Sequence, residues 1–255
     1  MPINILEETE PLTASVRALA RSYPKGCEIP THRHPWGQLI YARAGVMTVT
    51  VAGQAQPGIW VVPPQRALWV PAETDHRIRC GTRVSMRSLY VAPLAGALPD
   101  TCCVVNVSPL LRELILESIE APGPARRRRL LTALILDEIR AASVAPLHLP
   151  EPADPRLVPI TSALREQPGD GRTLGAWARQ AGASTRTLSR LFVAQTGMTF
   201  RQWQRQARLL AALVRLAEGA QVTTVALDLG YESPSAFISA FRRALGKTPR
   251  RYFDA

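Results

Sequence analysis

The sequence contains only four cysteines and has no long apolar run, and both shortages exclude classes of protein. The cysteines show neither CxxC spacing nor the density of a disulfide scaffold, which indicates free thiols in a reducing compartment. No apolar run approaches the roughly 20 residues that a membrane span needs. The acidic start, MPINILEETEPL, lacks the apolar core of a secretory signal. We therefore expect a cytoplasmic protein without a membrane partner. The cysteines are Cys27, Cys80, Cys102 and Cys103.

Positive charge is plentiful and is concentrated in one part of the chain. The formal net charge is +11 at pH 7. Residues 153–255 hold 15 basic and 7 acidic residues, a net of +8, and 14 of the 15 are arginine. The planar fork of arginine donates paired hydrogen bonds to phosphates and to guanine edges. The concentration of charge predicts double-stranded DNA as a partner of the C-terminal part.

The N-terminal part is rich in short β-type runs. Residues 26–92 contain runs such as QLIYA, VMTVTV and VSMRSLYV, separated at short intervals by glycine and proline. This pattern is typical of an all-β barrel or sandwich.

From Ser108-Pro109, an N-cap followed by proline, the period becomes helical up to about residue 142. Apolar faces of two helices are expected either to dimerise or to pack on the barrel. The residues on these faces are Leu111, Leu114, Ile115 and Ile119, and Leu131, Leu134, Ile135 and Ile139.

Two similar helical units follow a proline-rich stretch at 146–155, which we interpret as a linker. In each unit a short helix meets a glycine and a polar cap and leads into a second helix. Ser184 caps the second helix of the first unit, and Ser233 caps that of the second unit. A long helix, opened by a capping box of Thr199 and Gln202, joins the units. This arrangement predicts two helix-turn-helix units.

The second unit, GYESPSAFISAFRRALGKTPRRY, resembles the signature of the AraC/XylS family of bacterial transcription regulators. The resemblance extends from Leu157 to Phe253. It implies two recognition helices in successive major-groove segments on one face of DNA, about 34 Å apart. The matching positions are Gly230, Tyr231, Ser233, Phe237, Phe241, Arg242, Gly246, Thr248, Pro249 and Tyr252.

The resemblance also implies which side chains contact DNA. Two arginines near the start of the first recognition helix can each bind guanine in a bidentate manner, so we expect this helix to dominate sequence readout. The second helix offers only proline and serines there and is expected mainly to position the protein. Arginines farther along it are interpreted as phosphate contacts or solvent-facing charges. The base-reading positions are Arg186, Ser189 and Arg190 and then Pro234, Ser235 and Ser239; the phosphate candidates include Arg242 and Arg243.

The stretch HRHPWGQ, residues 32–38, carries two histidines and a glutamine. With flanking glycines at positions 26 and 45, it resembles the first motif of the cupin superfamily, with Gln38 in the place of the usual glutamate. A second stretch, from Pro71 to Cys80, resembles the second motif and supplies His76. In this stretch Glu73 replaces a glycine and Cys80 replaces an asparagine. Cupins are small double-sheet barrels.

Strand alternation gives these side chains a common direction. His32, His34 and Gln38 fall on one face of a strand, and His76 falls on one face of a later strand. If both faces point into the barrel, three imidazoles converge and can hold Zn, Ni, Co, Cu or Fe. Two other interpretations stay open: a pocket in which the histidines bond an organic effector, and a vestigial site with the histidines satisfied in the core.

Together these features predict a two-domain chain with an all-β cupin-like barrel, a helical dimerisation segment, and an all-α domain with two helix-turn-helix units. We expect a nucleoid-associated regulator that is not an enzyme. It would act as a homodimer controlled by a metal ion or small molecule, with RNA polymerase as a further partner. The alternative is a cupin-type metalloenzyme with an attached DNA-binding module. The predicted segments are 1–105 (cupin-like sensor), 106–145 (dimerisation), 146–155 (linker) and 156–255 (AraC-type DNA-binding domain).

Overall fold

The computed structural model describes residues 16–52, 57–93, 98–120, 123–142 and 144–253. The chain forms two compact units, the first ending at Leu147 and the second beginning at His148. Within the described ranges, no helix combines the length and the apolar character that crossing a bilayer requires.

The first unit consists of two antiparallel sheets. One sheet has the strand order β1-β8-β3-β6-β9-β10, and the strands of this unit in the other sheet run β5-β4-β7-β2. The strands are β1 Val16–Tyr23, β2 Glu28–His32, β3 Gly37–Ala44, β4 Met47–Val51, β5 Gly58–Val62, β6 Arg66–Val70, β7 His76–Cys80, β8 Val84–Val91, β9 Cys103–Asn106 and β10 Val144–Ala145. The predicted all-β region, residues 26–92, is confirmed. The structure adds strand β1 before this region and strand β9 after it.

Alternation along β7 shows which face of its sheet points inward. His76, Ile78 and Cys80 are buried, whereas Arg77 and Arg79 are exposed. This is the pattern of a strand with one face in a core and one in solvent.

Helices α1 (Pro109–Glu120) and α2 (Ala125–Ala141) cover the outer face of the six-stranded sheet. Ser108 caps α1 as predicted, because its Oγ accepts the Leu111 amide at 2.9 Å. Leu111, Ile115 and Ile135 are buried against apolar residues of that sheet. These sheet residues are Leu39, Tyr41, Ala67, Trp69, Leu89, Val91 and Val105. Of the two roles expected for these faces, packing on the barrel is the one observed.

One residue assigned to the buried face of α2 is placed differently by the structure. Leu134 is 48% exposed, whereas Leu136 is 7% exposed and takes the buried position. The predicted stripe therefore lies slightly off the true one, because α2 is apolar on more than one side and its sequence alone does not rank the sides.

The second unit contains seven helices and the short strand β11, His148–Pro150, among its described residues. The helices are α3 Val158–Glu166, α4 Leu174–Gln180, α5 Thr185–Thr196, α6 Phe200–Ala217, α7 Val222–Asp228, α8 Pro234–Leu245 and α9 Pro249–Phe253. The predicted caps are present: Ser184 and Ser233 accept backbone amides of α5 and α8, and Thr199 with Gln202 forms the capping box of α6.

The first half of the predicted linker, residues 146–155, contains packed residues. Leu149 is buried, and the Trp203 indole donates to the Pro150 carbonyl at 2.8 Å. The Gln206 amide donates to the His148 carbonyl at 3.1 Å. This segment therefore packs along α6, which proline content alone does not indicate.

Candidate metal centre and nucleic-acid interface

The structure brings the three predicted histidines together inside the first unit. His32 ends β2 and lies opposite His76 at the start of β7, while His34 lies in the loop before β3. The prediction that His32, His34 and Gln38 share one face of a single strand is therefore wrong, because the loop separates β2 from β3, which belong to different sheets. Their candidate ligand atoms all lie within 4.8 Å of one another. The ring centroids are 4.3 Å apart for His32 and His76, and 5.2 Å apart for His34 and His76. His34 and His76 are buried, and His32 is half-buried.

Backbone carbonyls orient all three rings. A carbonyl oxygen only accepts hydrogen bonds, so each Nδ1 in these contacts carries the proton. In the neutral ring Nε2 then bears the lone pair that a metal requires. The bonds run from His32 to the Pro30 oxygen at 2.9 Å, from His34 to the Trp36 oxygen at 2.6 Å and from His76 to the Thr74 oxygen at 2.8 Å.

Gln38 contributes a fourth donor atom and is fixed by two hydroxyl groups. Its side chain is 1% exposed. The amide nitrogen donates to Ser88 Oγ at 3.2 Å and to the Tyr90 hydroxyl at 3.1 Å. The amide oxygen therefore points the other way, 3.2 Å from His34 Nε2 and 3.1 Å from His76 Nε2.

Burial keeps His76 and Tyr90 uncharged at neutral pH. Desolvation, together with the neighbouring His32 and His34, lowers the pKa of His76 to about 3, and its bond to the Thr74 carbonyl only partly opposes this. Desolvation also raises the pKa of Tyr90 to about 12, so its hydroxyl keeps its proton. His76 is therefore a neutral imidazole, the form that binds metal.

The donor atoms fit a transition-metal dication. The Gln38 oxygen faces the Nε2 lone pair of the neutral His76, an arrangement that is repulsive unless a cation lies between them. Ligands held at about 2.1 Å from a metal lie about 3.0 to 3.4 Å from one another. This range includes the separations of the Gln38 oxygen from His34 Nε2 and His76 Nε2, and the candidate atoms of the three histidines lie within 4.8 Å of one another. The cluster of candidate ligands among the described residues contains no carboxylate and no thiol.

The two substituted positions of the second cupin-like motif are Glu73, in the turn before β7, and Cys80, at the opposite end of β7 from His76. Glu73 has φ +58°, a left-handed conformation that suits the glycine it replaces. Its backbone N–H donates to the His34 carbonyl at 2.9 Å, so the turn helps to hold the histidine loop. Cys80 faces inward, and burial raises the pKa of its thiol to about 11, so it is not a thiolate.

The first recognition helix exposes the residues predicted to read bases. On α5, Leu188 and Phe192 are fully buried in the helical core. Arg186, Ser189 and Arg190 are exposed on the other side. Neither arginine forms an ion pair within the part of the chain that the structure describes.

The second recognition helix shows the same division of faces. On α8, Phe237 and Phe241 are 1% exposed and form the core. Pro234 is half-buried at the first helical position, beside the Ser233 cap. The exposed candidates on this helix are Ser235, Ser239, Arg242 and Arg243. The chemistry of the two exposed faces differs as predicted, with arginines on α5 and serines at the corresponding end of α8.

Two family models match the two units. The model described as a helix-turn-helix domain matches residues 177–255, and the model described as a cupin domain matches residues 20–91. The curated protein HTH-type transcriptional regulator NimR of Escherichia coli (strain K12) is 38% identical over 228 residues, which cover 88% of this chain and 81% of NimR. The chain belongs to the AraC/XylS family of transcription regulators.

Other comparisons give more distant similarities to this AraC-family regulator. HTH-type transcriptional regulator RipA of Corynebacterium glutamicum is 30% identical over 193 residues, covering 69% of this chain and 58% of RipA. A solved structure of ToxT from Vibrio cholerae is 8% identical and has a TM-score of 0.40, covering 94% of this chain and 98% of that chain. NimR and RipA are named as transcription regulators, and the metalloenzyme alternative gains no support from them.

Sequence reasoning about this AraC-family chain did not identify Ser88 and Tyr90 as partners of Gln38. A usable signal is present, because the alternation of VSMRSLYV places Ser88 and Tyr90 on one face of β8. What the sequence does not show is the register that sets Tyr90 opposite Gln38.

Proposed function

We propose that this AraC-family regulator is a metal-responsive sensor in which His32, His34, His76 and Gln38 bind a divalent transition metal. The observation that carries the proposal is the convergence of the four donors, with every imidazole oriented by a backbone carbonyl and the amide held by two hydroxyls. Such preorganisation lowers the cost of assembling a site. When bound, the metal supplies a double positive charge and four directed bonds.

Metal binding at this position would tie the two sheets of the barrel together. His32 and His76 belong to β2 and β7 of one sheet, whereas Gln38 belongs to β3 of the other. A metal ion bound by residues of both sheets would therefore fix the spacing of the sheets at this end of the barrel. The ion controls DNA binding only if it has different affinities for the DNA-competent and DNA-incompetent states.

The donor set favours sensing over oxygen chemistry. Three imidazoles and an amide suit Zn, Ni, Co, Cu or Fe, but the chain has Gln38 where the family's iron chemistry uses a carboxylate. An amide does not neutralise the charge of a hard dication. We accordingly propose that the barrel does not act as an enzyme.

The experiment is metal analysis of untagged full-length protein, followed by titration of the metal-free protein with divalent metals. His34→Ala should lose most of the bound metal, and Arg33→Ala, which alters an exposed neighbour, should retain it. Promoter binding with and without a chelator then tests the coupling. Unchanged metal content in His34→Ala would rule out the histidine site.

For the DNA-binding domain, we propose that Arg186, Ser189 and Arg190 read bases in one major-groove segment. Their exposure on a helix whose opposite face is fixed by Leu188 and Phe192 supports this assignment. On α8, Pro234, Ser235 and Ser239 would lie in the next segment. Arg242 and Arg243, farther along that helix, would contact phosphates. Promoter-bound regulators of this type would then meet RNA polymerase.

We further propose that two copies associate through α2. An exposed stripe on this helix has the spacing of one helical face and comprises Arg126, Leu130, Ala133, Leu134 and Asp137. Leu130 is 56% and Leu134 is 48% exposed. Antiparallel pairing about a two-fold axis between residues 131 and 132 places Arg126 beside Asp137 of the second copy and Leu130 beside Ala133. The stripe is thus complementary to itself in charge and in size.

A further inference from the structure

Strand β1 directs two arginines into the barrel. It pairs with β8 so that Arg17 lies opposite Tyr90 and Arg21 lies opposite Met86. Directly opposed residues of an antiparallel pair share a face. Tyr90 faces the interior, because its hydroxyl contacts Gln38 beside the histidine cluster. Arg17 and Arg21 therefore lie on the interior face of β1.

Arg21 carries an unsatisfied donor in this position. Its Nε atom is buried and has no hydrogen-bond partner among the described residues. The described part of the chain offers it no ion pair either. A buried donor on a charged group that lacks a partner is costly, so such groups in native proteins call for an explanation. A bound anion would provide the missing acceptor.

None of the described strands β1 to β8 directs a carboxylate toward Arg21. The acidic residue in these strands is Glu28, which is exposed and lies 3.7 Å from Arg79 on the outer face, and Glu73 and Asp75 lie in the turn before β7.

We propose that Arg21 binds the carboxylate group of a small organic anion inside the cupin barrel, next to the histidine cluster. This inference rests on the proposed function in placing the effector site in the barrel, but it does not require the metal. The effector would then be a carboxylate, and a metal in the neighbouring site would strengthen its binding by adding positive charge.

The neighbours of Arg21 suit such a ligand. The guanidinium fork matches the two carboxylate oxygens and binds them in a bidentate manner. Leu19 on the same face of β1 and the buried Met86 offer apolar contact for the rest of the molecule. The Tyr90 hydroxyl is a further polar group on this wall. A neutral amide of the same shape would leave the guanidinium charge uncompensated.

The test uses full-length, metal-free protein and two pairs of probes with equal shape and different charge: acetate with acetamide, and benzoate with benzamide. Titrations at constant ionic strength are followed through the arginine Nε–H signals in nitrogen-15 NMR spectra. The Arg21 signal is assigned by its loss in Arg21→Gln. Arg77→Gln is the matched control, because Arg77 is an exposed arginine on the outer face of β7.

We expect a saturable shift of the Arg21 signal with at least one carboxylate and at least tenfold weaker effects with its amide. Arg77→Gln should retain the response. Arg21→Lys lacks the Arg21 signal, so its carboxylate affinity is measured by calorimetry; it should be weaker than that of the wild type, since lysine keeps the charge but loses the fork. The proposal is overturned if neither carboxylate shifts the signal saturably, or if the amides shift it equally. If Arg21→Gln fails to fold, the proposal is tested by the comparison of carboxylates with amides on the wild-type protein and by the affinity of Arg21→Lys. Failure of metal binding would leave this result unaffected, so the two proposals fail separately.

Discussion

Tyr90 lies directly opposite Gln38 across strands β8 and β3, and its hydroxyl accepts a hydrogen bond from the Gln38 amide at 3.1 Å. This contact, with that of Ser88, determines which end of the amide faces the histidines. Since the ligand oxygen has no charge, its orientation is its main contribution to a metal site. The pair therefore links an ordinary strand register to the chemistry of the cluster.

Replacing Gln38 by glutamate should tighten metal binding. Gln38→Glu adds a negative charge next to the dication, and we expect at least a tenfold gain in Zn affinity, about 1.4 kcal/mol. Tyr90→Phe frees the amide and should weaken binding by about tenfold. Competition with a chromophoric chelator measures both effects, with Arg33→Ala as the control. Equal affinities for wild type and Gln38→Glu would mean that this side chain is not a ligand.

Replacing Glu73 by glycine should stabilise the barrel. Glu73 occupies the left-handed region, which costs a non-glycine residue about 1 to 2 kcal/mol, and part of this gain is offset by the chain entropy of glycine. The ion pair with Arg33 is exposed and long, so its loss matters little. We expect a net gain of about 0.5 to 1 kcal/mol in urea unfolding followed by the β-sheet circular dichroism signal.

The same chemical change in a right-handed segment provides the control for Glu73→Gly. Glu113→Gly, on the exposed face of α1, should destabilise by about 1 kcal/mol because glycine is a poor helix former. A loss of stability in both variants would contradict the strain argument.

Replacing Arg186 by alanine should reduce sequence discrimination. A bidentate contact to guanine contributes about 1 to 3 kcal/mol of discrimination, whereas a phosphate contact affects all sequences alike. Arg186→Ala should therefore weaken operator binding roughly 5- to 150-fold and leave non-specific binding nearly unchanged. Fluorescence anisotropy with operator and scrambled duplexes measures the ratio. Arg243→Ala serves as the comparison and should weaken both duplexes similarly; the same uniform loss in Arg186→Ala would make Arg186 a phosphate contact.

Charge-reversing substitutions on the exposed stripe of α2 should change the affinity of two copies for each other. Arg126→Glu places like charges opposite each other and should weaken dimerisation, as should Leu130→Glu in the centre of the stripe. The double variant Arg126→Glu with Asp137→Arg restores complementarity and should recover association. Sedimentation equilibrium measures the dissociation constants. A dimer unchanged in Leu130→Glu would exclude this surface, and Leu111→Glu, which alters the buried face, should instead disturb folding.

The helical half of the chain followed closely from local signals. Ser184, Thr199 and Ser233 each cap the helix that the sequence assigns to them, and Gly197 and Gly246 end α5 and α8 in left-handed conformations. Capping and chain reversal depend on a few neighbouring residues, so they can be predicted from them. Strand β1 was not recognised, since VRALARSY contains a single β-branched residue and its inward-facing Arg17 and Arg21 interrupt the apolar alternation of a core strand.

The sequence by itself determined the two-unit organisation, the paired helix-turn-helix units and the four candidate metal ligands, because these depend on local periodicity and on motif spacing. Only the tertiary structure decided that Tyr90 and Ser88 orient the Gln38 amide, that Leu134 remains exposed while Leu111 is covered, and that Arg21 points inward. These three facts follow from strand register and helix packing. Both are set by burial of apolar surface between segments far apart in the chain, and no short stretch of sequence contains that information.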